Sequence, residues 1–165
     1  RNDGQLVPAF TNATFWSNEN HWKWATQPNA REKASFLKEN IIPIEESGQL
    51  KFTTEGAELF PGVKIVYMNG HTDGMMLPHI SYKGKTIVFM ADLLPSAAHL
   101  PVPFVMAYDT RPLLTLQEKA AFLTNAQAND YILFFEHDPS IECCSLKLTD
   151  KGVRPDQLFS LDELS

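Results

Sequence analysis

Cysteine is scarce in this chain: two occur in 165 residues, side by side at Cys143 and Cys144. A pair so spaced supports no disulfide framework, and it has neither the C-x-x-C pattern nor the ligand spacing of a zinc site. On a strand, neighbouring side chains point to opposite faces, so these read as two reduced thiols, one on each side of a sheet. Reduced thiols fit a reducing compartment and a cytoplasmic location. Positive charge is also short, with 14 Lys and Arg against 20 Asp and Glu and a net charge of -6. The basic residues form no stripe, which argues against nucleic acid as a partner. Long apolar runs are missing too. The longest, Ile87 to Met90 and Tyr131 to Phe135, are strand-length and fall well short of the roughly 20 residues that span a bilayer. No membrane association is expected, and no signal peptide is visible in the opening residues. Internal repeats and Gly, Ser or Pro-rich linkers are absent, so residues 1–165 read as a single unit.

What is present is ordinary globular composition, 44% hydrophobic and 21% charged. The first part reads as helical and aromatic-rich. Ser17 is placed to cap a helix through His21, Trp22 and Trp24, and Asn29 to cap another carrying Ala34, Phe36 and Leu37 until Pro43 stops it. From Gln49 the period shortens to that of strands: Leu50 to Phe52, Val63 to Met68, and a hairpin of Met76 to Tyr82 and Thr86 to Met90 around Lys83-Gly84-Lys85. A Pro-punctuated loop runs from Leu93 to Pro112. Thr115 with Glu118 then matches a capping box opening a helix. A buried strand, Tyr131 to Phe135, and a last strand, Ser145 to Leu148, come next. The acidic tail after Gly152 reads as surface-lying or frayed.

Three pieces each place a metal-ligand residue type just after an apolar strand: Asn69-Gly70-His71-Thr72-Asp73-Gly74, Met90-Ala91-Asp92-Leu93-Leu94-Pro95 and Phe135-Glu136-His137-Asp138-Pro139. A strand holds such a residue while the loop exposes it. Imidazole and carboxylate suit zinc, manganese or iron. Singly, a His at a turn is more often an ordinary polar residue, and an Asp before a loop a cap. Together, in this order and these contexts, they resemble the metallo-β-lactamase superfamily, over nearly the whole stretch from Lys64 to Leu148.

That resemblance implies an α/β fold, half of a four-layer αβ/βα sandwich with a mostly antiparallel sheet and flanking helices. It implies a metal-dependent hydrolase in which His71 binds one metal, Asp92 bridges both and takes part in catalysis, and His137 binds the second. The complete protein would then carry two divalent ions, zinc foremost, and act on a small-molecule substrate. The family's His-x-His-x-Asp-His segment is missing: no two of His21, His71, His79, His99 and His137 stand one residue apart. The opening 1–8 stretch resembles the residues just after that segment in some members, so a truncated chain is expected, inactive alone and holding no metal firmly.

Other residues bear on the same site. His99 and Tyr108, in the loop after Asp92, are candidates for substrate contact; Asp73 is a candidate for orienting His71 from behind. Asp109 reads as closing a turn, and His79, inside a strand, as packing. Arg111 is the one basic clamp in the loop, which favours a small ester or lactone over a phosphodiester. The competing reading is a non-catalytic folded module with structural His and Asp residues. An exposed half-sandwich face would in either case favour a homo-oligomer.

Overall fold

The structure is a computed structural model that describes residue 4 and residues 6–164. The opening stretch 1–8 therefore falls partly outside the described residues, at positions 1–3 and 5. The chain divides into two compact units, Arg1–Thr54 and Glu55–Ser165.

In the first unit, strands β1 (Phe15–Ser17) and β2 (Leu50–Phe52) pair in parallel, and helices α1 (Glu19–Thr26) and α2 (Lys38–Glu46) lie between them in sequence. The expected helix through His21, Trp22 and Trp24 forms as α1, but its cap is Asn18, whose Oδ1 accepts from His21 N at 2.8 Å; Ser17 ends β1 instead. Asn29 does accept from the backbone N–H groups of Arg31 and Glu32, yet only a series of turns comes after it. The second helix starts at Lys38 and runs through Pro43, which was expected to stop it. A proline removes one helical hydrogen bond. Here the carbonyl it leaves is that of Glu39, an exposed residue on a helix that buries nothing, so water can take that place.

The second unit is built on a seven-stranded sheet in the order β3 (Glu58–Phe60), β4 (Val63–Met68), β5 (Met75–Tyr82), β6 (Lys85–Phe89), β7 (Ile132–Phe134), β8 (Cys143–Thr149) and β9 (Gly152–Phe159). Every neighbouring pair is antiparallel except β6 and β7. A parallel pair needs a crossover, and residues 90–131 supply it: a loop with two short 3-10 turns, then helix α3 (Pro112–Ala128). The β5–β6 hairpin closes on Lys83 and Gly84, with φ of 49° and 74°, and Lys85 already pairs with Tyr82. Positive φ at both central positions is the turn that matches strand twist.

Alternation along the strands sorts the core onto two faces. Val88, Leu133 and Cys144 join Leu77, Met90, Phe122 and Leu123 in the main cluster; Ile87, Ile132 and Cys143 join Leu164 in a smaller one on the other side. The cysteines are thus free, fully buried and divided between the faces. Burial pushes the Cys143 thiol up to about 11 and the Cys144 thiol up to about 12, which leaves both inert at neutral pH.

Two expectations fail in this unit. The tail after Gly152 is neither loose nor frayed but forms β9, paired along β8. Pro155 and the polar residues around it conceal a strand in the sequence, and an edge strand tolerates both. Thr115 does not open α3: the helix begins three residues earlier at Pro112, after Arg111. Proline suits a first helical position because the N–H it lacks would have no partner there. Among the described residues, no helix is long and apolar enough to cross a membrane.

Candidate metal centre

Strand β4 is antiparallel to β5, β5 to β6, and β6 is parallel to β7. It follows that β4, β6 and β7 all run the same way and end on the same edge of the sheet. Each leads within three residues to one of the candidate ligands, which is why His71, Asp92 and His137 meet despite their separation in sequence.

The His71 loop is fastened at nearly every residue. Asn69 Oδ1 accepts from Gly74 N at 2.9 Å and closes the loop. Glu118 of α3 accepts from Asn69 N at 2.7 Å and Gly70 N at 2.9 Å, so its carboxylate binds this loop and not a capping box. Gly70 lies so close to α3 that a Cβ there would collide with the backbone and hydroxyl of Thr115. The carbonyls of Gly70 and His71 accept from Arg111 N at 2.8 Å and Thr110 N at 3.1 Å. On the ring itself, Nδ1 meets Asp109 Oδ1 at 3.0 Å, and Asp109 is only 2% exposed. A carboxylate at Nδ1 holds the proton there and turns the Nε2 lone pair outward.

Asp92 comes directly after Ala91, a non-glycine residue at φ 42°. This left-handed conformation is costly for a residue with a side chain and often marks a functional position. His137 is set by two ties to the Asp92 loop: its N–H donates to Pro95 O at 3.0 Å, and Asp138 Oδ2 accepts from Ala97 N at 3.0 Å. Burial pushes the Asp138 carboxyl up, but hydrogen bonds from Ser140, Ile141 and Ala97 outweigh it and hold the group below its ordinary value.

The three side chains converge. His71 Nε2 lies 3.3 Å from Asp92 Oδ2, and His137 Nε2 lies 3.5 Å from Asp92 Oδ1. Both gaps exceed the roughly 2.7–2.9 Å of a charge-assisted hydrogen bond. They suit a different relation: two ligands each about 2.0–2.1 Å from a tetrahedral ion stand about 3.4 Å apart. Each imidazole therefore faces its own carboxylate oxygen at the spacing of two ligands sharing an ion. Among the described residues there is no group of three or more His, Cys, Asp and Glu that could hold one metal ion.

The other candidate residues make contacts of their own. Asp73 was expected behind His71; its carboxylate instead pairs with Arg111 Nη2 at 3.1 Å, and Asp109 takes the place at Nδ1. Arg111 also donates to Asn69 O at 2.6 Å. His99 Nδ1 lies 2.9 Å from Ser96 Oγ, and Tyr108 is 79% exposed. His79 sits edge-on to Phe122 and Tyr131, bonded to Leu77 O, and burial lowers its pKa. Sequence reasoning favoured a turn for Asp109, which does close one with Met106, and a cap for Glu118, and missed the contacts of both with the His71 loop. One resembles a turn residue and the other a helix cap, and only their long-range partners distinguish them.

No protein-family model matches the chain, and no curated protein does. Solved structures match well. A probable metal-dependent hydrolase from Staphylococcus aureus superposes with a TM-score of 0.81 at 26% identity, over 94% of this chain and 55% of that one. The hydrolase AbOPH of the β-lactamase superfamily gives 0.75 at 20% identity, over 90% and 56%. AidC, a dizinc quorum-quenching lactonase solved with the product N-hexnoyl-L-homoserine, gives 0.68 at 22% identity, over 92% and 58%. The chain spans little more than half the length of each of these structures.

Proposed function

We propose, from the premise that this chain has the fold of part of a metal-dependent hydrolase of the β-lactamase superfamily, that it supplies three ligands of a dinuclear metal centre. His71 would bind one ion, His137 the other, and Asp92 both through its two oxygens. The observation that carries this is the pair of Nε2 to Oδ separations, 3.3 and 3.5 Å, on opposite oxygens of one carboxylate. Zinc fits the donor set best. Two ions bound there would supply a water acidic enough to ionise near neutral pH and would polarise the substrate's carbonyl oxygen. The chain's own residues do the rest: Asp109 holds the His71 tautomer, and Asp138 and Pro95 tie the His137 turn to the Asp92 loop.

Each ion would receive two ligands from this chain, fewer than the three usual at a catalytic zinc site. On this reading these 165 residues are inactive alone, and a His-x-His-x-Asp-His segment, which they do not contain, would complete the ligand set. For the substrate we favour a small ester or lactone. Arg111, the sole Lys or Arg in the loop from Leu93 to Pro112, already bonds Asp73 and Asn69 O and is poorly placed to clamp a phosphate. The lactonase among the similar structures acts on a substrate of this kind. The absence of any three-ligand group among the described residues favours a second reading, a folded module whose His and Asp residues are structural.

Hydrolysis assays separate the two. The zinc-loaded protein, extended to include the missing segment, is expected to open a simple γ-lactone, lose that activity with a chelator, and act poorly on a phosphodiester; chain 1–165 should show none. Lactone opening unaffected by the chelator, or none by the extended zinc form, would sink the proposal.

A further inference from the structure

Lys119 lies in α3 and is 0% exposed. A buried ammonium persists only when its N–H groups find partners. Those of Lys119 donate to the carbonyl oxygens of His99 at 3.0 Å, Pro101 at 3.2 Å and Phe104 at 2.6 Å. An ammonium has three donors, and three carbonyls of a single loop occupy them, so the loop is wrapped around this side chain. Burial pushes the Lys119 ammonium down to about 8, while the negative charge of Asp109 acts in the opposite sense.

Both ends of the wrapped segment lead to the candidate centre. Upstream, Leu100 N donates to Ala97 O, and Ala97 N to Asp138, the neighbour of His137. Downstream, Asp109 Oδ2 accepts from Met106 N at 3.0 Å, while Oδ1 of the same carboxylate meets His71. We infer that Lys119 is a positioning residue, which fixes the 99–104 segment and thereby holds Asp109 against His71. The inference rests on reading His71 and His137 as parts of one site, although the hold exerted by Lys119 can be measured without any metal. A methionine at 119 would fill the same space and donate nothing, leaving the three carbonyls without their shared partner.

Amide hydrogen exchange on the chain and on Lys119→Met tests this. The variant should exchange at least about tenfold faster at residues 100, 104, 106 and 109, with the β5 and β6 amides unchanged. In the long-range proton–nitrogen spectrum of His71, a single Nδ1-protonated tautomer should give way to a mixture. Unchanged exchange, or equal acceleration in β5 and β6, would overturn the inference. If Lys119→Met does not fold, the unsubstituted chain with 15N-labelled lysine decides: a slowly exchanging ammonium signal close to residues 99–104 supports the wrap, and a rapidly exchanging one refutes it. A chain that passes these tests but binds no metal in its extended form would condemn the metal reading alone; one that binds metal with unchanged exchange in the variant would condemn only this inference.

Discussion

At the scale of single residues, the site is governed by the groups behind the proposed ligands. His71 can present Nε2 toward Asp92 because Asp109, buried and bonded also to Met106 N, accepts at Nδ1. An Asn at 109 would keep the shape and remove the charge, and its amide could present a donor to Nδ1 in place of an acceptor. Asp109→Asn in the extended protein should weaken metal binding about 10–100-fold, the usual cost of losing such a partner. Competition with a chromogenic chelator would measure it, and an unaltered affinity would remove Asp109 from the account. That His71, Asp92 and His137 meet was legible in sequence because each closely follows an apolar strand, in an order the resemblance makes specific. Asp109 was not, since nothing local separates an Asp that closes a turn from one that reaches a histidine across 38 positions.

Elements position the site by close approach. The first turns of α3 lie against the His71 loop, where Gly70 leaves room for Thr115 and Glu118 binds two backbone N–H groups. Gly70→Ala forces loop and helix apart and should cost about 1–3 kcal/mol, as overpacking does. Urea denaturation would show this, and a loss below about 0.5 kcal/mol, the range of neutral surface changes, would mean that the contact yields easily. Strands β4 to β8 were readable, β4 from alternation and the others mainly from short apolar runs bounded by turn residues. β9 was not, because an edge strand needs apolar residues on one face at most, and Pro155 argues against a strand anywhere but an edge. The capping pattern at Thr115 misled for a related reason: Glu118 had a better partner in a loop far away in sequence.

At the largest scale, the second unit is one seven-stranded sheet carrying a large core on the α3 face and a small one on the other. Within the large core's face, His79 lies against Phe122 and Tyr131, and burial holds its pKa below 6.5, against a smaller rise from its bond to Leu77 O. As pH falls through 6.5 the unfolded chain takes up a proton that the folded one resists, so stability is full above 6.5 and declines below it. Urea midpoints at pH 7.5 and 5.5 should fall further for the unsubstituted chain than for His79→Gln; equal falls would show that His79 carries no such penalty. Fold class was legible through the resemblance, which implies an α/β fold with a mostly antiparallel sheet; the one parallel pair, β6 with β7, was not, since neither strand carries a local sign of its partner's direction. The division at Thr54 left no sign either, since no linker composition marks it.

The most direct test of the central claim is the metal content of the chain joined to a His-x-His-x-Asp-His ligand segment, measured by elemental analysis with and without Asp92→Ala. If His71, Asp92 and His137 serve a dinuclear centre, the unsubstituted form holds about two ions per chain, as in a two-metal site, and the variant retains markedly fewer while remaining folded. Metal content unchanged by the loss of Asp92, or no metal in either form, would contradict the account.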